Sequence, residues 1–247
     1  MNFEQALRCA FDDEKWAERM AIGALIGLVP ILNLALKGYQ VEVARRAARG
    51  EARPLPAWDD LGRKLEDGLL LFVARLVYQL PWLVAAGAAA LCFIAAFASL
   101  PAQVYLEEAA WMLPALFGGM GLLAGGAALI LWLAAALIQP AVVLQYVRHG
   151  RFGACFDLRA VWAMMAGHTS MYATLIALYL ALLVVYLIAI FSLSMIASMI
   201  PCLGWLAQIA LTGAGAFWLG AGVGNLQGQA LRLMFIAPQA EPAGVAP

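Results

Sequence analysis

Charged residues divide this chain into long apolar runs. No Asp, Glu, Lys or Arg occurs from Leu76 to Leu106, from Ala109 to Val147 or from Ala160 to Leu231. A hydrocarbon core of about 30 Å takes about 20 helical residues at 1.5 Å each. The first two runs therefore hold one span apiece. The third holds two, broken at Pro201-Cys202-Leu203-Gly204. Spans are expected near 72–98, 113–138, 171–198 and 203–224.

A fifth apolar stretch, Met20 to Leu36, is shorter, and its Gly23, Gly27, Pro30 and Asn33 bend or interrupt a helix. It reads as re-entrant or interfacial. The fold class is all-α: a polytopic membrane helical bundle of four transmembrane helices plus a short re-entrant or interfacial N-terminal segment. A single integral membrane domain is expected over 1–236, with a disordered, proline-bearing tail at 237–247.

The polar segments have their own order. Asn2 and Gln5 form a capping pair, and Phe3, Leu7 and Phe11 recur every four residues, which predicts an amphipathic helix on the membrane surface. Tyr39 to Arg49 reads as a helix with Glu42 set against Arg46, Gly50 as its stop and Pro54 beyond. The turn Pro54 to Asp60 carries the indole of Trp58 and an N-cap for the helix that follows.

Arginine and lysine give the orientation. Three lie before Met20, eight from Lys37 to Arg75, three from Arg148 to Arg159, and Arg232 completes the 15. With four spans all fall on one side, and the opposite loops carry only Glu107 and Glu108. Both termini are thus expected on the cytoplasmic face of the inner membrane of a prokaryote.

Composition removes whole classes of function. At 65% hydrophobic and 12% charged residues, with a mean hydropathy of +0.86, the chain has too few polar side chains to coat a water-soluble globule. Acidic and basic residues balance at 15 each, so nucleic acid is not an expected partner. Cys9, Cys92, Cys155 and Cys202 form no C-x-x-C pair, and His149 and His168 are the only imidazoles. No cofactor or metal is expected. The N-terminus is acidic where a secretory signal would begin basic.

Ile22-Gly23, Leu28-Val29-Pro30-Ile31-Leu32-Asn33, Gly38-Tyr39, Leu55-Pro56-x-Trp58-Asp59-Asp60 and Asp67-Gly68-Leu69 resemble the signature of a prokaryotic integral membrane family, the domain of unknown function DUF 4013. The resemblance implies a membrane fold and no activity. A weaker internal echo pairs Tyr39, Arg49-Gly50 and Trp58-Asp59 with Tyr146, His149-Gly150 and Phe156-Asp157, as two diverged units over 20–138 and 139–236 would.

Candidate sites each meet a plainer reading. Asp59, Asp60, Glu66, Asp67 and Asp157 suggest a divalent cation, but their spacing matches no known loop and helix capping or pairing with Arg63 and Lys64 is the better account. Arg45, Arg46, Arg49 and Arg53 could meet lipid headgroups or a partner, or serve retention alone. Arg75 is expected to snorkel. Thr212, Ala216, Gly220, Gly224 and Gly228 recur every four residues as a helix-packing stripe, and Gly222-x-Gly224 lacks the spacing and preceding strand of a dinucleotide loop. Trp16, Trp58, Trp82, Trp111, Trp162 and Trp205 lie near span boundaries as an aromatic belt. No catalytic constellation is present, so the expected function is a non-enzymatic scaffold or accessory subunit. Its expected partners are membrane lipids and a larger membrane complex or a second copy; the alternative is a small permease or lipid-handling protein.

Overall fold

Eight α-helices make up the computed structural model, which describes residues 1–236 except 30, 52, 54, 102–110 and 200–203. They are α1 (Phe3–Arg8), α2 (Trp16–Leu28), α3 (Asn33–Ala48), α4 (Leu61–Ser99), α5 (Met112–His149), α6 (Leu158–Gly167), α7 (Thr169–Ser198) and α8 (Gly204–Leu231). A 3₁₀ turn, Phe152–Phe156, precedes α6, and a π-helical turn, Arg232–Ile236, follows α8. The described residues contain no strand. Helices α4, α5 and α7, and α8 with the π turn, are long and apolar enough to cross a membrane. The break at 201–204 falls largely outside the described residues, and the Glu107-Glu108 loop and the 237–247 tail fall wholly outside them.

The Met20 to Leu36 stretch resolves into the end of α2 and the start of α3. At 13 residues α2 reaches only about 20 Å, short of a crossing. Its chain leaves the helix at Val29 in extended conformation and enters α3 at Asn33. Gly50 ends α3 with a left-handed φ of 78°. Its N–H donates to Ala47 while that of Glu51 donates to Arg46, the paired bonds of a Schellman ending. Asp60, also left-handed, starts α4 by accepting from the Arg63 N–H at 3.3 Å.

The chain forms two compact units. One combines residues 1–73 with the chain from 140 onward, and α8 is its centre, packed by α1, α2, α3 and α7. Most of α8 after Phe217 is buried, because glycines let neighbouring backbones approach: Gly213 meets Ala24 of α2, and Gly222 meets Leu182 of α7 and the Ala6 carbonyl of α1. The face of α1 that packs here is Ala6, with Cys9 and Ala10 just beyond, and Phe11 stays exposed. Of the expected Phe3-Leu7-Phe11 row, Phe3 and Leu7 are half-buried, and the small side chain of Ala6 is what fits close to α8.

The other unit, residues 74–139, pairs the later part of α4 with the first part of α5. Gly121 lies against the Phe93 ring, and Ala74, Ala89, Ala96, Gly121, Ala128 and Ala135 are the buried residues among those described in this unit. Val84, Leu91, Phe97, Leu122 and Leu123 are exposed, a distribution suited to lipid and not to water.

Candidate functional site

The separated family-like motifs meet in space. Helices α3 and α4 cross in antiparallel order with no room for a side chain at two points: the Lys64 carbonyl fills the place of a Cβ on Gly38, and the Leu34 carbonyl that of one on Gly68. Beside this crossing Tyr39 is buried. Its hydroxyl donates to the Pro56 carbonyl at 2.9 Å and its ring stacks on Trp58 at 4.6 Å between centroids. Trp58 Nε1 donates to the Arg19 carbonyl at 2.9 Å. Arg19 donates to the Leu55 carbonyl and pairs with Asp13, each at 2.7 Å. Phe217 of α8 closes the cluster 5.1 Å from Tyr39, against the side of α2 where Gly23 has no Cβ to obstruct it. Each aromatic pair contributes roughly 1 kcal/mol beyond its burial.

Asp67 is the second node. One carboxylate oxygen pairs with Arg45 Nη1 at 2.6 Å, and the other accepts from the Tyr146 hydroxyl of α5. The Arg45 guanidinium also lies 5.6 Å from the centre of the Tyr146 ring. One turn away along α3, Glu42 bridges Arg46 at 3.1 Å and the almost fully buried Lys64 at 3.0 Å. Lys64 Nζ also donates to the Asp59 carbonyl at 2.8 Å. Charge pairs link α3 with the starts and ends of its neighbours, where an unpaired buried ion would cost several kcal/mol.

The sequence-predicted residues separate under this geometry. Arg45 pairs with Asp67, Arg46 with Glu42, Arg49 with Glu51 and Arg53 with Glu14, so all four guanidiniums have a carboxylate within 3.1 Å. Of the acidic group, Asp60 and Asp157 are N-caps and Asp67 is an ion-pair centre; Lys64 turns to Glu42. Among the described residues no three His, Cys, Asp or Glu side chains converge as metal ligands. The small-residue stripe divides as well. Gly224 and Gly228 lie against the Gln40 and Ala44 carbonyls of α3, whereas Thr212 and Ala216 are exposed and an added Cβ at Gly220 would meet open space. The four-residue spacing fails to hold one face because α8 receives four helices from different directions. Arg75 is exposed and forms no ion pair among the described residues.

Three features were not read from the sequence. A buried polar seam runs from Gln40 of α3 to Gln227 of α8, at 3.0 Å, and Gln229 accepts from the Asn2 backbone while donating to Asn225. The signal was there as Asn and Gln interrupting the apolar end of α8, though the partners lie some 187 residues apart for Gln40 and Gln227. A cavity of about 70 Å³ sits between α3 and α8, lined among others by Asn33, Lys37, Gln40, Phe217 and Gly220. It is far below the roughly 300 Å³ of an ordinary small-molecule site. Third, burial pushes the Cys9 thiol up to about 12, with the nearby Asp12 charge adding to the shift, and burial pushes Cys155 up to about 11. Both are protonated at neutral pH and poor nucleophiles.

Four helices of membrane-crossing length, preceded by an ion-paired helical segment, define an all-α integral membrane protein. The model of the family described as "Protein of unknown function (DUF4013)" matches residues 21–197. The chain belongs to that family. No curated protein and no solved structure matches it.

Proposed function

We propose that the protein is a non-enzymatic scaffold or accessory subunit of a prokaryotic inner-membrane complex, with both termini cytoplasmic. The observation that carries this reading is the use of its ionisable side chains. Lys64, Asp13, Asp67, Arg19 and Arg45, the charged groups most removed from solvent in the site, are all spent on ion pairs within the protein. A catalytic or transport site instead keeps such groups directed at a ligand. The charge distribution supports cytoplasmic termini through retention of basic segments.

A second reading, a small permease or lipid-handling protein, is favoured by one observation. Asn225 Nδ2 and Gln145 Oε1 are buried polar atoms without a hydrogen-bond partner among the described residues. Purification of the full chain in mild detergent, followed by identification of bound protein and lipid, tests both. The scaffold reading expects a stoichiometric protein partner or a stable second copy. A monomer that retains only one tightly bound lipid or solute overturns it in favour of the second reading.

A further inference from the structure

The segment between α5 and α7 differs from the clamp around α3 in how it uses charge. From Glu42 to Asp67 the chain has six basic and six acidic residues, and the arginines there that sequence reading singled out are each paired with a carboxylate. From Arg148 to His168 it has Arg148, Arg151 and Arg159 against a single acid, Asp157. That acid is occupied as the cap of α6, accepting from the Ala160 N–H at 3.0 Å. All three arginines are exposed and none has an ion-pair partner among the described residues. Arg148 is held with its guanidinium 3.9 Å above the Phe235 ring, which fixes its position without neutralising its charge.

The apolar side chains of this segment divide between two surroundings. Helix α6 buries Val161 and Met164. At 100° per residue Arg159 falls opposite this buried face, and Trp162 and Leu158, which are 68% and 62% exposed, lie side by side between Arg159 and the buried face. Phe156, in the turn before, is also exposed. Because α5 and α7 are both long and apolar enough to span, their connection lies where the two spans leave the hydrocarbon. Exposed Trp and Leu flanked by unpaired Arg suit the boundary between acyl chains and headgroups.

We infer that residues 148–168 form a binding surface for anionic phospholipid, with Arg151 and Arg159 meeting the headgroup phosphates while Leu158 and Trp162 enter the adjoining acyl region. The unpaired positive charge selects anionic over zwitterionic lipid, and the apolar face holds the segment at the depth where that charge acts. The inference rests on α5 and α7 crossing the bilayer, and it is independent of whether the protein is a scaffold or a permease.

The test uses the full chain in mixed micelles containing phosphatidylglycerol and phosphatidylcholine, with retained lipids counted by native mass spectrometry. Arg151→Gln with Arg159→Gln should lower the preference for phosphatidylglycerol on the order of tenfold. Arg49→Gln with Arg53→Gln removes the same formal charge from paired positions and should leave the preference within about twofold of wild type. Equal losses in both double variants, or no loss in the first, overturn the inference. Should the first variant fail to fold, wild-type retention at low and high salt decides: preference for phosphatidylglycerol must fall with salt, and a salt-independent or absent preference overturns the proposal.

Discussion

The backbone carbonyl of Lys64 occupies the position that a Cβ on Gly38 would need. The contact is backbone to backbone, so no rotamer change relieves it, and the equivalent approach of Leu34 to Gly68 makes the crossing reciprocal. Gly38→Ala and Gly68→Ala should each destabilise the protein by about 2 kcal/mol or more, since overpacking that must move backbone lies at the upper end of such costs. Gly62→Ala, in the same helix as Gly68 but with nothing within 4 Å of the added carbon, should be neutral or slightly stabilising. Thermal unfolding in one detergent, with the three variants side by side, checks this. Equal melting temperatures would remove the crossing from the account.

Asp67 holds two partners, and the cost of losing it is unequal to the cost of losing either. Asp67→Asn leaves the half-buried Arg45 without its counter-charge and should cost about 2 to 4 kcal/mol, less than the loss of a fully buried pair. Tyr146→Phe removes one hydrogen bond to a charged acceptor and should cost roughly 1.5 to 3 kcal/mol. The double variant should lose less than the sum, because both changes act on one carboxylate. Denaturation of all three variants in detergent measures the coupling; strict additivity would show that the two contacts are independent.

Burial of Cys9 predicts both its reactivity and a pH dependence. Its thiol donates to the Ala6 carbonyl at 3.2 Å and is pushed up to about 12. Maleimide at pH 8 should therefore label it only after denaturation. The folded-state value lies above the ordinary value of about 9, so the contribution to stability is complete below pH 9. It declines as pH rises towards 12, because the unfolded chain loses its proton first. Cys9→Ala should fall less steeply in stability between pH 9 and 11 than the wild type. Parallel curves would contradict the assignment.

The stripe on α8 yields a comparison within one helix. Gly224→Ala should disrupt the approach to α3, where the Gln40 carbonyl is 2.6 Å from the added carbon. Gly220→Ala should be tolerated, because an added carbon there meets open space. Size-exclusion behaviour and melting temperature of the two variants separate the positions. A Gly220 variant as damaged as the Gly224 variant would place Gly220 against a partner helix outside the chain.

The four long helices were legible because a helix that must face lipid leaves a charge-free run, and two of them continue past those runs into polar sequence. Helix α4 starts at Leu61 and α5 runs to His149, beyond the charge-free runs, because Lys64, Asp67 and Arg148 are accommodated by pairing or by stacking on an aromatic ring. The capping positions Asn2, Asp60 and Asp157, and the Glu42–Arg46 pair, followed from local spacing. The clamp did not. Its contacts join Tyr39 to Pro56, Asp67 to Tyr146 and Gln40 to Gln227 across separations that no periodicity encodes. The internal echo shows the same limit. Tyr39 and Tyr146 are both buried, yet one donates to a backbone carbonyl beside a stacked indole and the other to a carboxylate beneath an arginine.

A four-span arrangement puts the α3 clamp and the 148–168 segment on one side of the membrane. Site-directed cysteine labelling with an impermeant maleimide, on a cysteine-free background in oriented membranes, tests this directly. Glu4→Cys and Gly153→Cys should react from the cytoplasmic side alone, and Glu108→Cys from the opposite side alone. Reaction of residue 108 from the cytoplasm, or of residues 4 and 153 from opposite sides, would contradict the four-span arrangement and the shared cytoplasmic face with it.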